Sequence, residues 1–199
     1  MKKEGSVLTL DAPKVSVREI LRYARSGEDD LTTRATAERL LRELDGILQY
    51  KLVYLRLPTS VDGEICKIGA CSVQSSSLAK ALSQCNEVLL LAATIGLAFD
   101  RLLARYSALH PADAIILQAI GAERIEALCD HFCDEYAMIH GCKLRPRFSP
   151  GYGDLPLQIQ SELLSILDAE RKIGIFLTDS CLMLPSKSVT AFVGIEKQE

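Results

Sequence analysis

The chain has 199 residues, of which 48% are hydrophobic and 25% are charged, a composition typical of a folded protein and not of a disordered one. Its 23 Lys and Arg against 26 Asp and Glu give a net charge of −3, so the surface has no surplus of basic side chains to neutralise a phosphate backbone. The longest apolar stretch, residues 88–99, is too short to span a bilayer. We therefore expect neither nucleic-acid binding nor membrane insertion.

The start of the chain bears on its compartment and its domain count. Met1 and the two lysines after it are typical of a signal peptide, but Glu4, Asp11 and Pro13 prevent an apolar core from following them. We therefore expect a cytoplasmic protein. Its length predicts a single domain over residues 1–199.

Hydrophobic spacing and turn residues predict the elements of the first half of the chain. In chain order they are a strand at residues 7–10, helices at residues 16–25 and 31–44, and a hairpin whose strands are residues 47–57 and 64–73. The turn of that hairpin is assigned to residues 59–63, which include Asp62 and Gly63.

The second half of the chain continues the mixture of helices and strands. Its predicted elements are a helix at residues 75–82, a strand at 88–93, a helix at 97–106, a long helix at 112–139, a helix at 157–167, and strands at 173–183 and 188–195. Residues 143–156 hold three prolines and two glycines, which indicates a shaped loop. The elements predict an α+β fold: an antiparallel or mixed sheet packed with helices, including one long central helix.

Seven cysteines lie in or beside apolar segments, and their odd number favours reduced, mostly buried thiols over a disulfide framework. A metal site is the alternative. Cys129 and Cys133 share a helix face, with His131 between them and His140 and Cys142 further on. Structural zinc sites usually show pairs with two-residue gaps, and on a helix His131 would point away from both cysteines. The spacing therefore disfavours a metal.

The loop before the last predicted helix carries the clearest chemistry in the sequence. Arg147 can offer a planar fork of donors to a carboxylate, and Tyr152 can offer its ring to an aromatic base or a cation. Pro150 and Gly151 fix a bent shape, while Gly151 and Gly153 leave the backbone open to a ligand. An amino acid joined to a nucleoside would use all these features. A structural turn with a surface arginine is the alternative interpretation.

Three motifs together resemble one family. Arg147-x-x-Pro150-Gly151-Tyr152 is similar to the R-x-x-P-G-Y loop in the activation domain of cobalamin-dependent methionine synthase. Residues 173–189 contain I-G-I-x-L-T-D-S-x-x-M-x-P-x-x-S-V, which resembles the closing strands of that domain. Residues 122–127 resemble its long helix, which carries an acidic ligand contact. The resemblance is good from about residue 113 to residue 195 and looser before that.

The resemblance implies S-adenosylmethionine binding by specific residues. Arg147 would bind the methionyl carboxylate, Tyr152 would lie beside the nucleoside or sulfonium, and Glu126 would face the positively charged part of the ligand. The loop residues Pro150 and Gly151 belong to the same motif. Asp11 could match an N-terminal aspartate contact, although an ordinary turn or N-cap residue is the favoured interpretation. For Glu126, a solvated position on a surface helix is the alternative.

The sequence departs from the family pattern at three places, one of which is the missing insertion between the long helix and the loop, with its second acidic contact. After Tyr152 the family usually continues P-A-C-P, whereas residues 153–156 are Gly-Asp-Leu-Pro. The aromatic pair of the last strand is replaced by Val193 and Gly194. Backbone hydrogen bonds from Val193 and Gly194 to adenine could remain there, but ring stacking could not. Ligand binding could therefore be weaker, altered or lost.

The resemblance implies an accessory role and not catalysis. In the family the domain presents S-adenosylmethionine to a cobalamin held by another domain, so that inactivated cobalt(II) is reduced and methylated. This chain lacks a D-x-H-x-x-G motif for holding cobalamin, so it would act in trans on a cobalamin-binding methionine synthase or another corrinoid protein, with a flavodoxin-like reductant possible.

Two other functions stay open. The first is a docking or assembly module for a corrinoid protein that does not bind S-adenosylmethionine. The second is a self-contained methyltransferase, which the absence of a G-x-G loop after the first strand disfavours.

Overall fold

Residues 5–197, which the computed structural model describes, alternate between strands and helices as the sequence predicts. The elements are β1 (Ser6–Thr9), α1 (Val17–Tyr23), α2 (Leu31–Glu43), β2 (Lys51–Asp62), β3 (Ile65–Ile68), β4 (Cys71–Gln74), α3 (Ser76–Ala81), β5 (Cys85–Thr94), α4 (Leu97–Leu109), α5 (Pro111–His140), α6 (Ile159–Leu167), α7 (Ala169–Ile173), β6 (Phe176–Leu177), β7 (Met183–Leu184) and β8 (Ser188–Glu196).

The main sheet has the strand order β4-β3-β2-β5-β8, with β1 also paired to β2. Every pairing is antiparallel, which resolves the expected choice between an antiparallel and a mixed sheet. The 12-residue strand β2 pairs along its first eight residues with β5, and β1 and β3 pair with its two ends. β5 is almost wholly buried because it lies between β2 and β8 and is covered on both faces.

Helices cover both faces of the sheet, so alternate residues of each strand enter different cores. On one face Leu52, Leu91 and Val193 pack beneath α1, α2, α4 and α5. On the other face Val53 and Leu90 pack against α3, α6 and α7. The expected α+β class, with helices packed on a sheet, is confirmed.

The long helix α5 has 30 residues and matches the predicted central helix. Pro111 lies in its first turn, where the missing N–H of proline costs nothing. Gly141 ends it in the left-handed conformation, with φ of 56°, and its N–H bonds to the carbonyl of Ala137. Nowhere in residues 5–197 is a helix both long and apolar enough to cross a membrane.

Three predicted strands are wrong in detail. The predicted strand 47–57 is β2, Lys51–Asp62, so most of the turn assigned to residues 59–63 is strand, and the turn falls at Gly63 and Glu64. The segment 64–73 is split into β3 and β4 by a turn at Gly69, whose φ is 57° and whose N–H bonds to the carbonyl of Pro58. The predicted strand 173–183 begins as the end of α7, because Gly174 adopts φ of 77° and caps that helix. The rest of the predicted strand contains β6 and the first residue of β7, two-residue strands that pair as a small separate sheet.

Candidate functional site

A cleft of about 550 Å³ opens at the free edge of β8, between α5 on one face of the sheet and α6 on the other. Its volume falls within the range of about 300–1,000 Å³ usual for small-molecule sites. The residues that line it are Glu126, Asp130, Pro146, Arg147, Ser149, Pro150, Gly151, Tyr152, Leu157, Gln160, Met183, Ser188, Val189 and Thr190.

The segment before the loop is held against β8 by backbone hydrogen bonds. Phe148 and Phe192 exchange two of them, at 2.9 and 2.8 Å, and the N–H of Arg145 bonds to the carbonyl of Gly194 at 2.8 Å. Even-numbered residues of β8 therefore direct their backbone groups outward. Because Thr190 has the same parity, its N–H and C=O face the cleft, beyond the point where the pairing stops.

The loop that carries Tyr152 is closed by its own backbone. The N–H of Gly151 bonds to the carbonyl of Leu155 at 2.9 Å, and the N–H of Leu155 bonds to the carbonyl of Tyr152 at 3.0 Å. Gly151 has φ of 91°, a conformation that glycine adopts readily. The Tyr152 ring is 61% exposed and meets Phe148 edge-on at 6.3 Å between ring centroids. The loop thus presents an accessible aromatic ring at the rim of the cleft.

Asp154 anchors this loop to the first turn of α3. Its carboxylate accepts hydrogen bonds from the hydroxyls of Ser75 and Ser76 and from the backbone N–H groups of Ser76 and Ser77, at 2.6 to 3.0 Å. These bonds, led by that from Ser75, lower the pKa of Asp154 well below its ordinary value. A Cβ at Gly153 would lie 2.3 Å from Ser77 Oγ, so glycine is required for this contact. Residues 153–154, which depart from the family pattern, therefore form an anchor.

Arg147 extends across the cleft to α5 and pairs with two carboxylates. Its Nη2 lies 2.6 Å from Glu126 Oε2, and its Nη1 donates to Asp130 Oδ1. Burial opposes the charge of Arg147, but Cys129, Asp130 and Glu126 together raise its pKa above the ordinary value. The side chain of Arg147 is 19% exposed, whereas those of Glu126 and Asp130 are 43% and 65% exposed.

This trio has one net negative charge at neutral pH, with a bidentate donor at its centre. It suits a ligand that carries a carboxylate together with excess positive charge. Arg147, the centre of this trio, lies on the same loop as Tyr152, as the sequence predicts, and the two carboxylates come from α5.

The structure brings five of the eight predicted site residues to this cleft: Glu126, Arg147, Pro150, Gly151 and Tyr152. Asp11 lies elsewhere, exposed in a depression shared with Tyr50 and Arg124. Val193 is fully buried in the core beneath α5. The carbonyl of Gly194 is already bonded to Arg145, and a Cβ on Gly194 would lie 2.6 Å from Cys85 Sγ. Thr190, unlike that pair, lines the cleft.

Among the lining residues that were not predicted are Asp130, Gln160 and Thr190. Asp130 follows Glu126 by four residues, so helical spacing alone could have placed both carboxylates on one face of α5. Gln160 is 3% exposed, and its Nε2 donates to the carbonyl of Cys181. Nothing in the sequence distinguishes Gln160 or Thr190 from ordinary residues of a helix and a strand.

The cysteines are all free thiols: Cys66, Cys85 and Cys129 are buried, and the other four are half-buried. Burial raises the pKa of Cys129 to about 12. Within residues 5–197, no group of three or more His, Cys, Asp or Glu side chains is arranged to hold a metal ion.

Residues 76–199 match the family described as vitamin B12 dependent methionine synthase, activation domain. This is more than half of the chain. The chain belongs to that family. All residues that line the cleft lie in the matched part, which also includes α5 and β8.

Among solved structures, the chain is similar to the crystal structure of the MetH reactivation domain bound to AdoHcy. The match has a TM-score of 0.72 at 17% sequence identity and covers 98% of this chain and 80% of that one. The likeness in fold therefore also includes the described residues before the family match, residues 5–75. No curated protein matches the sequence.

Proposed function

We propose that this activation-domain protein binds S-adenosylmethionine in the cleft and acts in trans on a corrinoid methyltransferase as an accessory component. The observation that carries the proposal is the placement of Arg147, Glu126 and Tyr152 around one cleft. S-adenosylmethionine carries a carboxylate, an ammonium group and a sulfonium, so its net positive charge complements the net negative charge of the Arg147 trio. The AdoHcy bound by the similar MetH domain has the same nucleoside and amino-acid parts.

Each residue has a defined part in this proposal. Arg147 binds the methionyl carboxylate through its fork of donors, and Glu126 attracts the positively charged centres. The Tyr152 ring stacks beside the nucleoside or approaches the sulfonium. The outward N–H and C=O of Thr190 offer a donor and an acceptor to the adenine, because both corresponding groups of Phe192 are bonded to Phe148 and the carbonyl of Gly194 is bonded to the N–H of Arg145.

When bound, S-adenosylmethionine would supply the methyl group of its sulfonium. We propose that the residues of this chain bind and orient it and that they do not themselves accept the methyl group. The acceptor is then a cobalamin held by a partner, either a methionine synthase or another corrinoid protein, with electrons from a flavodoxin-like reductant. We propose that the chain acts as one domain in this assembly.

Calorimetric titration with S-adenosylmethionine tests the binding function. We expect Arg147→Ala to weaken binding by about 1.5–3 kcal/mol, the range for losing a hydrogen bond to a charged group. Arg145→Ala is the matched control, because Arg145 lies two residues away but donates to the carbonyl of Ser83 outside the cleft. Absence of both heat and thermal stabilisation at millimolar ligand would contradict the proposal and favour a docking module instead.

Methyl transfer tests the accessory role separately. The purified chain, incubated with S-adenosylmethionine and homocysteine in the absence of a corrinoid protein, is expected to form no methionine. Turnover under these conditions would show that the chain is a methyltransferase in its own right.

A further inference from the structure

We infer that Asp130 sets the affinity of the cleft, because it competes with the ligand's carboxylate for the guanidinium of Arg147. This inference rests on the proposed binding of S-adenosylmethionine. It concerns a residue for which neither the loop motif nor the acidic motif of α5 assigns a role. Asp130 would thus be an internal substitute for part of the ligand.

The competition follows from the occupied donors of Arg147. Nη2 is paired with Glu126 at 2.6 Å, and Nη1 is paired with Asp130. A ligand carboxylate that binds across the two terminal nitrogens needs the same donors. At least one protein carboxylate must therefore release the guanidinium before the ligand can bind it with two hydrogen bonds.

Asp130 is the carboxylate that can leave at lower cost. Its side chain is 65% exposed against 43% for Glu126, so water replaces more of the lost interaction with Arg147. Both carboxylates also line the neighbouring depression beside Tyr23 and His131, so the difference in exposure is what favours the release of Asp130. Glu126 can stay paired with Nη2 and face the ammonium or sulfonium.

Asp130 also has an effect that favours binding, and this effect is the weaker of the two. Its negative charge also attracts the positively charged ligand, so removing it lowers the general attraction. That attraction acts through solvent and is screened by salt, whereas the competition acts by direct contact with Arg147. The net result of removing Asp130 is a stronger bond between Arg147 and the ligand carboxylate.

The test compares two variants and two probes. Asp130→Ala removes the competitor. Asp134→Ala removes the same charge one helical turn further on, from an exposed residue that does not line this cleft. The probes are S-adenosylmethionine and 5′-methylthioadenosine, which keeps the adenosine, has a neutral thioether in place of the sulfonium, and lacks the amino-acid part with its carboxylate and ammonium. Dissociation constants are measured by calorimetry at fixed ionic strength.

We expect Asp130→Ala to tighten binding of S-adenosylmethionine about two- to fivefold, the range set by exposed ion pairs. Binding of 5′-methylthioadenosine should be unchanged, since this probe does not displace Asp130. Asp134→Ala should leave both affinities unchanged or weaken S-adenosylmethionine slightly.

The possible failures are distinct. If neither wild type nor Asp130→Ala binds S-adenosylmethionine, the proposed function fails and this inference fails with it. If wild type binds and Asp130→Ala binds equally or more weakly, the function stands and the competition is overturned. Equal tightening of both probes would also overturn it, because the effect would then be independent of the carboxylate.

Discussion

Helix α5 contributes carboxylates to two arginine–carboxylate clusters of opposite character, one with Arg124 of the same helix and one with Arg147 of the loop. Arg124 and Glu123 have side chains that are 2% and 4% exposed, and they pair directly with each other. Arg124 also donates to the carbonyls of Pro13 and Lys14, at 2.6 and 2.8 Å, while Glu123 accepts the N–H of Ser16 at 2.8 Å. The Arg147 cluster, in contrast, lies at the wall of an open cleft and uses carboxylates that are about half exposed.

The difference separates a structural ion pair from a binding site. In the first cluster each guanidinium nitrogen of Arg124 donates to a backbone carbonyl or to Glu123, so the pair holds the segment before α1 against α5. In the second cluster the arginine is partly buried but its partners can be rehydrated when a ligand arrives. Burial and saturation of the partners distinguish the two clusters better than residue type does, because both contain an arginine paired with a glutamate of α5, Glu123 in one and Glu126 in the other.

The largest effect is expected from Arg124→Ala. Removing this side chain leaves Glu123 buried without its charge partner, so we expect a loss of about 3–5 kcal/mol in the free energy of unfolding, measured with urea. Replacing both residues, as Glu123→Leu with Arg124→Met, should recover much of that loss because no unpaired charge remains. A loss below about 1 kcal/mol in the single variant would show that the buried pair does little to stabilise the fold.

A second prediction concerns the thiols beside Arg147 and the alternative that they hold a metal. Cys129 and Cys133 lie next to the guanidinium, and burial raises the pKa of both thiols. If they are core residues, changing both to Ala should cost about 1–3 kcal/mol, as for other losses of packing. Elemental analysis should find no stoichiometric metal in either protein. About one zinc or iron per chain, lost in the double variant, would contradict the packing interpretation.

A smaller effect on stability is expected from Arg147→Ala. Its carboxylate partners are exposed enough to be solvated, so the free energy of unfolding should fall by only about 1 kcal/mol or less. The same variant should lose ligand affinity, which separates it from Arg124→Ala. A loss of stability as large as that of Arg124→Ala would show that the Arg147 cluster is also a structural ion pair.

Much of the candidate site could be predicted because its residues are close in sequence or on one helix. Arg147 and Tyr152 belong to one loop, and Glu126 lies on a helix whose periodicity is clear. Val193 and Gly194 were misplaced relative to the cleft because alternation along β8 cannot be assigned to the two edges without its neighbours. The pairing with residues 144–148 uses both outward groups of Phe192 and the carbonyl of Gly194, and it leaves the outward groups of Thr190 to the cleft.

In the fold as well, features set by neighbouring residues were predicted better than features set by contacts between distant segments. β5 was predicted from an uninterrupted apolar run, and the structure places it between two partner strands. The segment 173–183 is also rich in apolar residues, but its start is determined by a left-handed Gly174 and by packing of α7 on the sheet. Local pattern therefore identified elements that are buried on all sides more accurately than those at the edge of the fold.

The smallest effect on stability, and a test of how the binding loop is held, is expected from Asp154→Asn. This change keeps the shape of the side chain but weakens the four hydrogen bonds from Ser75, Ser76 and Ser77. The loop that carries Tyr152 should therefore become less ordered. As a result, S-adenosylmethionine should bind several-fold more weakly. Because folding lowers the pKa of Asp154, its carboxylate stabilises the folded state fully above the ordinary aspartate value of about 4 and loses that contribution as the pH falls below it. Unfolding measured between pH 3 and 7 should therefore show wild type and Asp154→Asn converging at the acid end. Curves that stay parallel to pH 3 would contradict the anchor, because the variant would then differ from wild type for a reason unrelated to this charge.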